Sequence, residues 1–203
     1  MTGWALVPIV ESMAQALAQA PTVHRITRAE YSRLAESGFF EGQRVELLEG
    51  EIIHMAAKLV PHVYTVRCLN YALVRRLGPE FIVQIQDPIV LDDWSEPEPD
   101  VSVCRAVPDN YAKALPEATQ VVLAIEVAET SLRYDLKRKV PAYAAAGVAA
   151  AWVVDLKRRR VHVFAEPEPA GRRYRVQRIA TERESLPLPD GSDIAIAEFL
   201  PPA

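Results

Sequence analysis

The stretch VVLAIEVAETSLRYDLKRKVPAY, Val121 to Tyr143, decides the fold. Its first eight residues are almost wholly apolar and rich in β-branched side chains, the composition of a buried strand. Glu126 interrupts them. Alternate side chains of a strand share a face. Val122, Ala124, Glu126 and Ala128 are therefore expected on one side, with Val121, Leu123, Ile125 and Val127 on the other. Glu126 then has small neighbours on its own face. An ionised carboxylate in such a place needs a cation, a strong set of hydrogen bonds or a raised pKa. A salt bridge to a nearby arginine or lysine is the plainest solution, and the second half of the stretch carries Lys137, Arg138 and Lys139. Pro141 is tolerated in a helix only in its first turn. The regular helix is thus expected to start near Lys139 or Val140, or to kink there.

A second carboxylate changes the reading of the first. In EPEPDVSV, Asp100 stands at the start of another short strand, directly after Pro99, whose ring fixes φ. If the strands of Asp100 and Glu126 are neighbours, both carboxylates point at one place. Two like charges held together repel unless a cation lies between them, and an all-oxygen site suits Mg²⁺ or Mn²⁺ better than zinc. A lysine beside it can orient or deprotonate water, or stabilise charge developing on a phosphate. Lys137 and Lys139 are the candidates, and Lys137 reads more simply as a solvated helix end.

The rest of the chain reads as one α/β or α+β domain. Residues 4–20 suggest a short helix ended by Pro21. In ITRAEYSRLAESG, Thr27 and Glu30 form a capping box, and Gly38 stops the helix. RVELLEGEIIHMA reads as a tight hairpin turning at Glu49-Gly50. PHVYTVRCLNYALVRRLG has apolar residues at Val63, Val66, Leu69, Leu73 and Leu77, the spacing of a helix closed by Gly78. FIVQIQDPIVLDD is expected to be a strand with an edge or bulge at Pro88. AAAWVVDL, RRRVHVFAE and RRYRVQRIA read as three further strands, the last two joined by a Pro/Gly turn.

Composition excludes several classes. The chain has 203 residues, a hydrophobic fraction of 50% and two cysteines, Cys68 and Cys104, far apart and without a CxxC partner. Neither a disulfide framework nor a zinc site is indicated. No run approaches a membrane-spanning helix. The N-terminus has no basic region and carries Glu11 among its apolar residues, so cytoplasmic residence is expected. The net charge of −4 is unevenly spread. From Ser131 to Arg183 there are thirteen basic and five acidic residues, a net +8, leaving −12 for the remainder. That asymmetry permits a phosphate-binding face. It is equally the pattern of solvated arginines on hairpin surfaces.

Asp after Pro at a strand start, an acid on the next strand and a nearby lysine resemble the PD-(D/E)XK nuclease superfamily. Here Val127 and Ala128 stand where the usual pattern has its lysine. That departure is shared by the Uma-type restriction endonuclease-like family, in which the lysine has moved to the following helix. The resemblance covers roughly residues 25–200. It rests on RVELLEGEI, PHVYTVRCLNYAL, QDPIVLDDWSEPEPDVSV, LAIEVAETSLRYDLKRKVPAYAAAGV and WVVDL, in that order. It departs from relatives at Glu129, where Asp is common, and at Ala149 to Ala151, where Pro-Glu commonly precedes the tryptophan.

The resemblance implies a restriction-endonuclease-like core, a central mixed β-sheet flanked by helices, over residues 23–203, with residues 1–22 a helical extension. It implies a Mg²⁺- or Mn²⁺-dependent endonuclease hydrolysing DNA phosphodiester bonds. Asp100 and Glu126 would be metal ligands, with the carbonyl of Val127 a third, and Lys139 the migrated lysine. Glu46 matches the family's acidic hairpin residue and would complete the site; its plainer reading is an exposed strand charge. His62 and Gln86 match recurring positions and are candidates for substrate contact, though a histidine at a helix start reads equally as a cap or a surface residue. Tyr143 reads as helix core. DNA is the expected partner and no membrane is involved. A homodimer is compatible, since many nucleases of this superfamily pair to cut two strands. The rival expectation is a nuclease-fold module with little or no turnover that binds nucleic acid or protein.

Overall fold

In the computed structural model, the described residues are 22–202. The expected helix over residues 4–20 lies outside them, and so does nearly all of the expected 1–22 extension.

The first described helix, α1 (Arg28–Glu36), starts where its sequence says it should. Thr27 accepts from the Glu30 N–H, and Glu30 reaches back to the Thr27 N–H. The chain then makes a two-stranded hairpin, β1 (Val45–Leu48) and β2 (Glu51–His54). Glu49 and Gly50 both have positive φ, 53° and 77°. That is the backbone of a two-residue turn whose twist matches its flanking strands. Every residue of β1 is buried, whereas β2 lies nearer solvent. Glu46 is therefore not an exposed strand charge: only 2% of it is accessible.

Helix α2 (Val60–Arg76) follows, and then the central sheet of six strands. Its order is β3 (Phe81–Gln84), β4 (Val101–Arg105), β5 (Val121–Ala128), β6 (Ala150–Asp155), β7 (Arg160–Glu168) and β8 (Arg173–Thr181). All neighbours are antiparallel except β5 and β6, which run parallel and are joined by a helical crossover. The expected strand over FIVQIQDPIVLDD is shorter than its apolar run. Only Phe81–Gln84 pairs in the sheet, and the chain beyond makes isolated bridges such as Val90 with Glu117. Pro88 cannot donate to a ladder.

The two faces of the sheet carry separate cores. Val101, Val103, Leu123, Ile125, Trp152 and Val154 pack against Val66, Leu69 and Leu73 of α2 and against the C-terminal Leu186, Ile194 and Phe199. The other face packs Ala124, Ala128, Ala151, Val153 and Phe164 against Val140, Tyr143 and Ala144. Strict alternation fails at one place in β5. The register slips between Val103 and Cys104, whose partners are Leu123 and Val121. Val122 is the extra residue of a bulge, and the phase of the side chains inverts there. Val121 thus shares a core with Ala124, and Val122 packs on the opposite side with Leu123. Beyond the bulge the expected alternation holds, and Glu126 lies on the face of Ala124 and Ala128.

The crossover from β5 to β6 is one helical run with three geometries. A turn at Leu132–Tyr134 opens into a π-helical segment, Asp135–Lys139, which tightens into α3 (Val140–Ala146). The Val140 N–H reaches back five residues to the Asp135 carbonyl. Pro141 explains the widening. It has no N–H to give to the carbonyl of residue 137, and its ring would clash there in a regular helix. Gly147, at φ 83°, closes α3.

Candidate active site

The pairing of Val101 with Ile125 places Asp100 level with Glu126 across β4 and β5. Facing residues on antiparallel strands have Cβ atoms about 5 Å apart. Both side chains meet at the floor of a cavity of about 310 Å³. Its wall includes Arg44, Glu46, Lys58, His62, Glu98, Val127, Tyr134, Asp135 and Lys139. The structure thus brings together Asp100, Glu126, Lys139 and Glu46, with Val127 and His62 beside them.

Lys139 is the hub, and it is 4% exposed. Its Nζ lies 2.9 Å from Glu46 Oε2, 3.2 Å from Glu126 Oε1 and 3.3 Å from Glu126 Oε2. It also approaches the Glu98 carbonyl at 3.4 Å. Burial alone would push a lysine to lose its proton. Here the carboxylates of Glu126, Glu46 and Asp135 outweigh burial, and the Lys139 pKa is raised. The ammonium is therefore retained.

Asp100 is held differently. Its Oδ1 lies 3.0 Å from His62 Nε2 and accepts from Gln86 Nε2 at 2.9 Å. Its Oδ2 accepts from the Val127 N–H at 2.8 Å. Burial opposes its ionisation, but His62, Gln86 and the Val127 N–H more than offset this, and its pKa is lowered. His62 and Gln86, the expected substrate contacts, both reach Asp100. Gln86 does so from a left-handed backbone, φ 57°, which a side chain adopts at a cost of about 1 kcal/mol.

Glu126 is the deepest acid. Tyr143 Oη donates to its Oε1 at 2.5 Å. Burial raises its pKa well above the usual carboxylate range; Lys139 opposes this, while Asp135, Asp100 and Glu46 add to it. Glu46 is fixed by the Glu98 N–H, 3.1 Å from its Oε2, and by Tyr134 Oη, 3.4 Å from its Oε1. Asp135 is fixed by Ser131 Oγ at 2.6 Å. Burial, opposed by Lys139 and Ser131, lifts Asp135 to about 6.

Tyr134 carries no sequence signal of a site role, Asp135 is not among the expected site residues, and Tyr143, expected as helix core, is core and also bonds Glu126. A tyrosine at core spacing reads as packing, and the hydroxyl's second role shows only in the fold. Asp135 and Lys139 stand four apart in a basic-looking segment, and the π-helical widening turns both inward. Their i,i+4 spacing places Asp135 on the same face as Lys139, which is the signal that could have found it.

By donor type alone the site is suited to a hard divalent cation. Asp100, Glu126 and Glu46 offer oxygen only, which is the chemistry Mg²⁺ and Mn²⁺ favour. Val127 adds its main chain beside Asp100. Among the described residues, no group of three His, Cys, Asp or Glu side chains is arranged as a ligand cage. The set present is a carboxylate pair that would be completed by main chain, water and substrate oxygens.

The arginines of the basic segment are largely engaged elsewhere. Arg158 and Arg160 pair with Asp155, Arg159 with Glu182, Arg173 with Glu168, and Arg178 with Glu184. Arg138 and Arg172 pair with Glu49 of the hairpin turn. Arg175 and Arg183 have no carboxylate partner among the described residues. Among those residues, also, no helix is long and apolar enough to cross a membrane.

Comparison with known proteins agrees with the fold. The Uma2 family, described as "Putative restriction endonuclease", matches residues 28–197. No curated protein matches the chain. A solved structure from Anabaena variabilis, described as a putative nuclease, is similar at a TM-score of 0.65. It is 16% identical over 86% of this chain and 97% of its own.

Proposed function

Since the chain belongs to the Uma2 family, we propose that it is a metal-dependent endonuclease hydrolysing DNA phosphodiester bonds. The observation that carries this reading is the buried meeting of Asp100, Glu126 and Lys139 at the floor of one cavity. Bound Mg²⁺ or Mn²⁺ would polarise the scissile phosphate and make water a nucleophile near neutral pH. Asp100 and Glu126 would hold it, with the Val127 carbonyl and Glu46 beside them. Lys139 keeps its charge in a buried position on the cavity wall, where it can orient a water or meet negative charge as it develops on phosphate. His62, Gln86 and the Val127 N–H hold Asp100 ionised, and Tyr143 fixes the rotamer of Glu126.

One observation favours a second reading. Each carboxylate here is already hydrogen-bonded by protein donors, and Lys139 fills the gap between Glu46 and Glu126. A nuclease fold that binds nucleic acid or protein without turnover would look the same. Plasmid DNA separates the two. A nuclease nicks it with Mg²⁺ or Mn²⁺, stops in EDTA, and loses at least 100-fold in rate on Asp100→Ala, on the order expected for one essential electrostatic group. An Asp100→Ala protein that cleaves as fast as the native one sinks the site assignment; a native protein that binds DNA but never cuts it establishes the second reading.

A further inference from the structure

We infer that the DNA backbone is received over the β1–β2 hairpin, with Arg44 and Lys58 as its phosphate contacts, and not over the arginine-bearing strands β7 and β8. This rests on the reading of the site as one that takes DNA.

Three observations converge on it. The first is position. Arg44 enters β1, and Lys58 lies in the loop leading to α2; both line the cavity that holds Asp100 and Glu126, and both are exposed. No residue of β7 or β8 lines that cavity.

The second is availability. A phosphate recruits a cation most cheaply where no ion pair must first be broken. Among the described residues neither Arg44 nor Lys58 has a carboxylate partner. Arg44 Nη2 rests 3.6 Å from Met55 Sδ, a weak contact. Lys58 donates to Gln86 Oε1, a neutral acceptor. Of the arginines of β7 and β8, Arg160, Arg173 and Arg178 are instead bound to Asp155, Glu168 and Glu184, and in the turn before β7 Arg158 and Arg159 are bound to Asp155 and Glu182.

The third is charge balance. The cavity is lined by Glu46, Glu98, Asp100, Glu126, Glu129 and Asp135, and Lys139 lies buried among them. A polyanion approaching this wall is repelled unless cations stand at the mouth. Arg44 and Lys58 stand there. Lys58 is also joined through Gln86 to Asp100, so a phosphate drawn to its ammonium arrives next to the carboxylate pair.

The test is binding, read apart from cleavage. A fluorescent DNA duplex is titrated in EDTA at a series of NaCl concentrations with three proteins: the native chain, Arg44→Ala/Lys58→Ala, and Arg175→Ala/Arg183→Ala. Both variants remove two exposed positive charges, and thermal melting checks that each is folded. Neutralising one phosphate contributes about 0.9 to the slope of log affinity against log salt. The hairpin-side variant is expected to lose at least tenfold in affinity at low salt and to flatten the slope by about 1.8, two contacts' worth. The β8-side variant is expected to match the native chain. Equal binding by the native protein and Arg44→Ala/Lys58→Ala overturns the inference while leaving DNA as the substrate. Loss confined to Arg175→Ala/Arg183→Ala overturns it in favour of the β8 face. A native chain that binds no duplex overturns the inference together with the reading it rests on.

Discussion

Replacing Lys139 by methionine removes the one buried cation from a group of acids and keeps most of the side-chain volume. In the native chain its ammonium lies within 3.3 Å of Glu46 and Glu126, and all three residues are almost fully buried. Breaking a buried ion pair by removing one partner costs about 3–5 kcal/mol, because the other charge is left dry and unpaired. Here two acids are left, so the upper end applies unless one takes up a proton, which burial already favours at Glu126. For a domain of this size, 1 kcal/mol shifts the melting temperature by about 2–4 °C. The metal-free Lys139→Met protein is therefore expected to melt on the order of 10 °C or more below the native chain. Adding Glu46→Gln to it should recover part of that loss, because the second change removes one of the stranded charges; the two effects are not additive. The assay is thermal denaturation in EDTA at neutral pH, followed by circular dichroism. A single variant melting within about 2 °C of the native chain would refute the claim that this ammonium organises the site.

Other outcomes follow from the same contacts. Tyr143→Phe leaves buried Glu126 short of a donor and should cost about 1–3 kcal/mol in chemical denaturation. Asp135 binds its proton more tightly in the fold than in the unfolded chain, so from about pH 4 to about pH 6 the native state holds the extra proton. Its contribution favours the fold at the acid end and is lost as pH rises through 6; Asp135→Asn should flatten metal-free stability across that window. Gly50→Ala would force a side chain into a left-handed turn with its Cβ 2.6 Å from Arg25 Cβ. It should cost about 1 kcal/mol or more in denaturant unfolding and loosen the hairpin that carries Glu46.

Local signals in the sequence carried far. The capping box of Thr27 and Glu30, the turn at Glu49-Gly50 and the helix start after Lys139 are all set by neighbours a few residues away, and each is found where the spacing places it. The six-stranded mixed sheet flanked by helices matches the restriction-endonuclease-like expectation. What stayed hidden depends on partners distant in the chain. The bulge at Val122 arises from the register with β4, so the side assigned to Val121 and Val122 inverts. Hairpin alternation leaves Glu46 open between a site residue and an exposed charge, and only the packing of β1 decides for burial. The hydroxyls of Tyr134 and Tyr143 matter only because the fold sets Glu46 and Glu126 before them. The arginine-rich segment looked available for phosphate because the acids that occupy it, such as Asp155 and Glu182, pair with it only in the folded sheet.

The most direct test of the central claim counts free Mn²⁺ by its paramagnetic resonance signal, in the presence of a saturating DNA duplex. The native chain is compared with Glu126→Gln and with duplex alone. The native complex is expected to take up the ion saturably beyond the duplex alone, and Glu126→Gln to lose that uptake. Equal uptake by both proteins, or none beyond the duplex itself, would contradict the assignment of Asp100 and Glu126 as a metal-dependent catalytic pair.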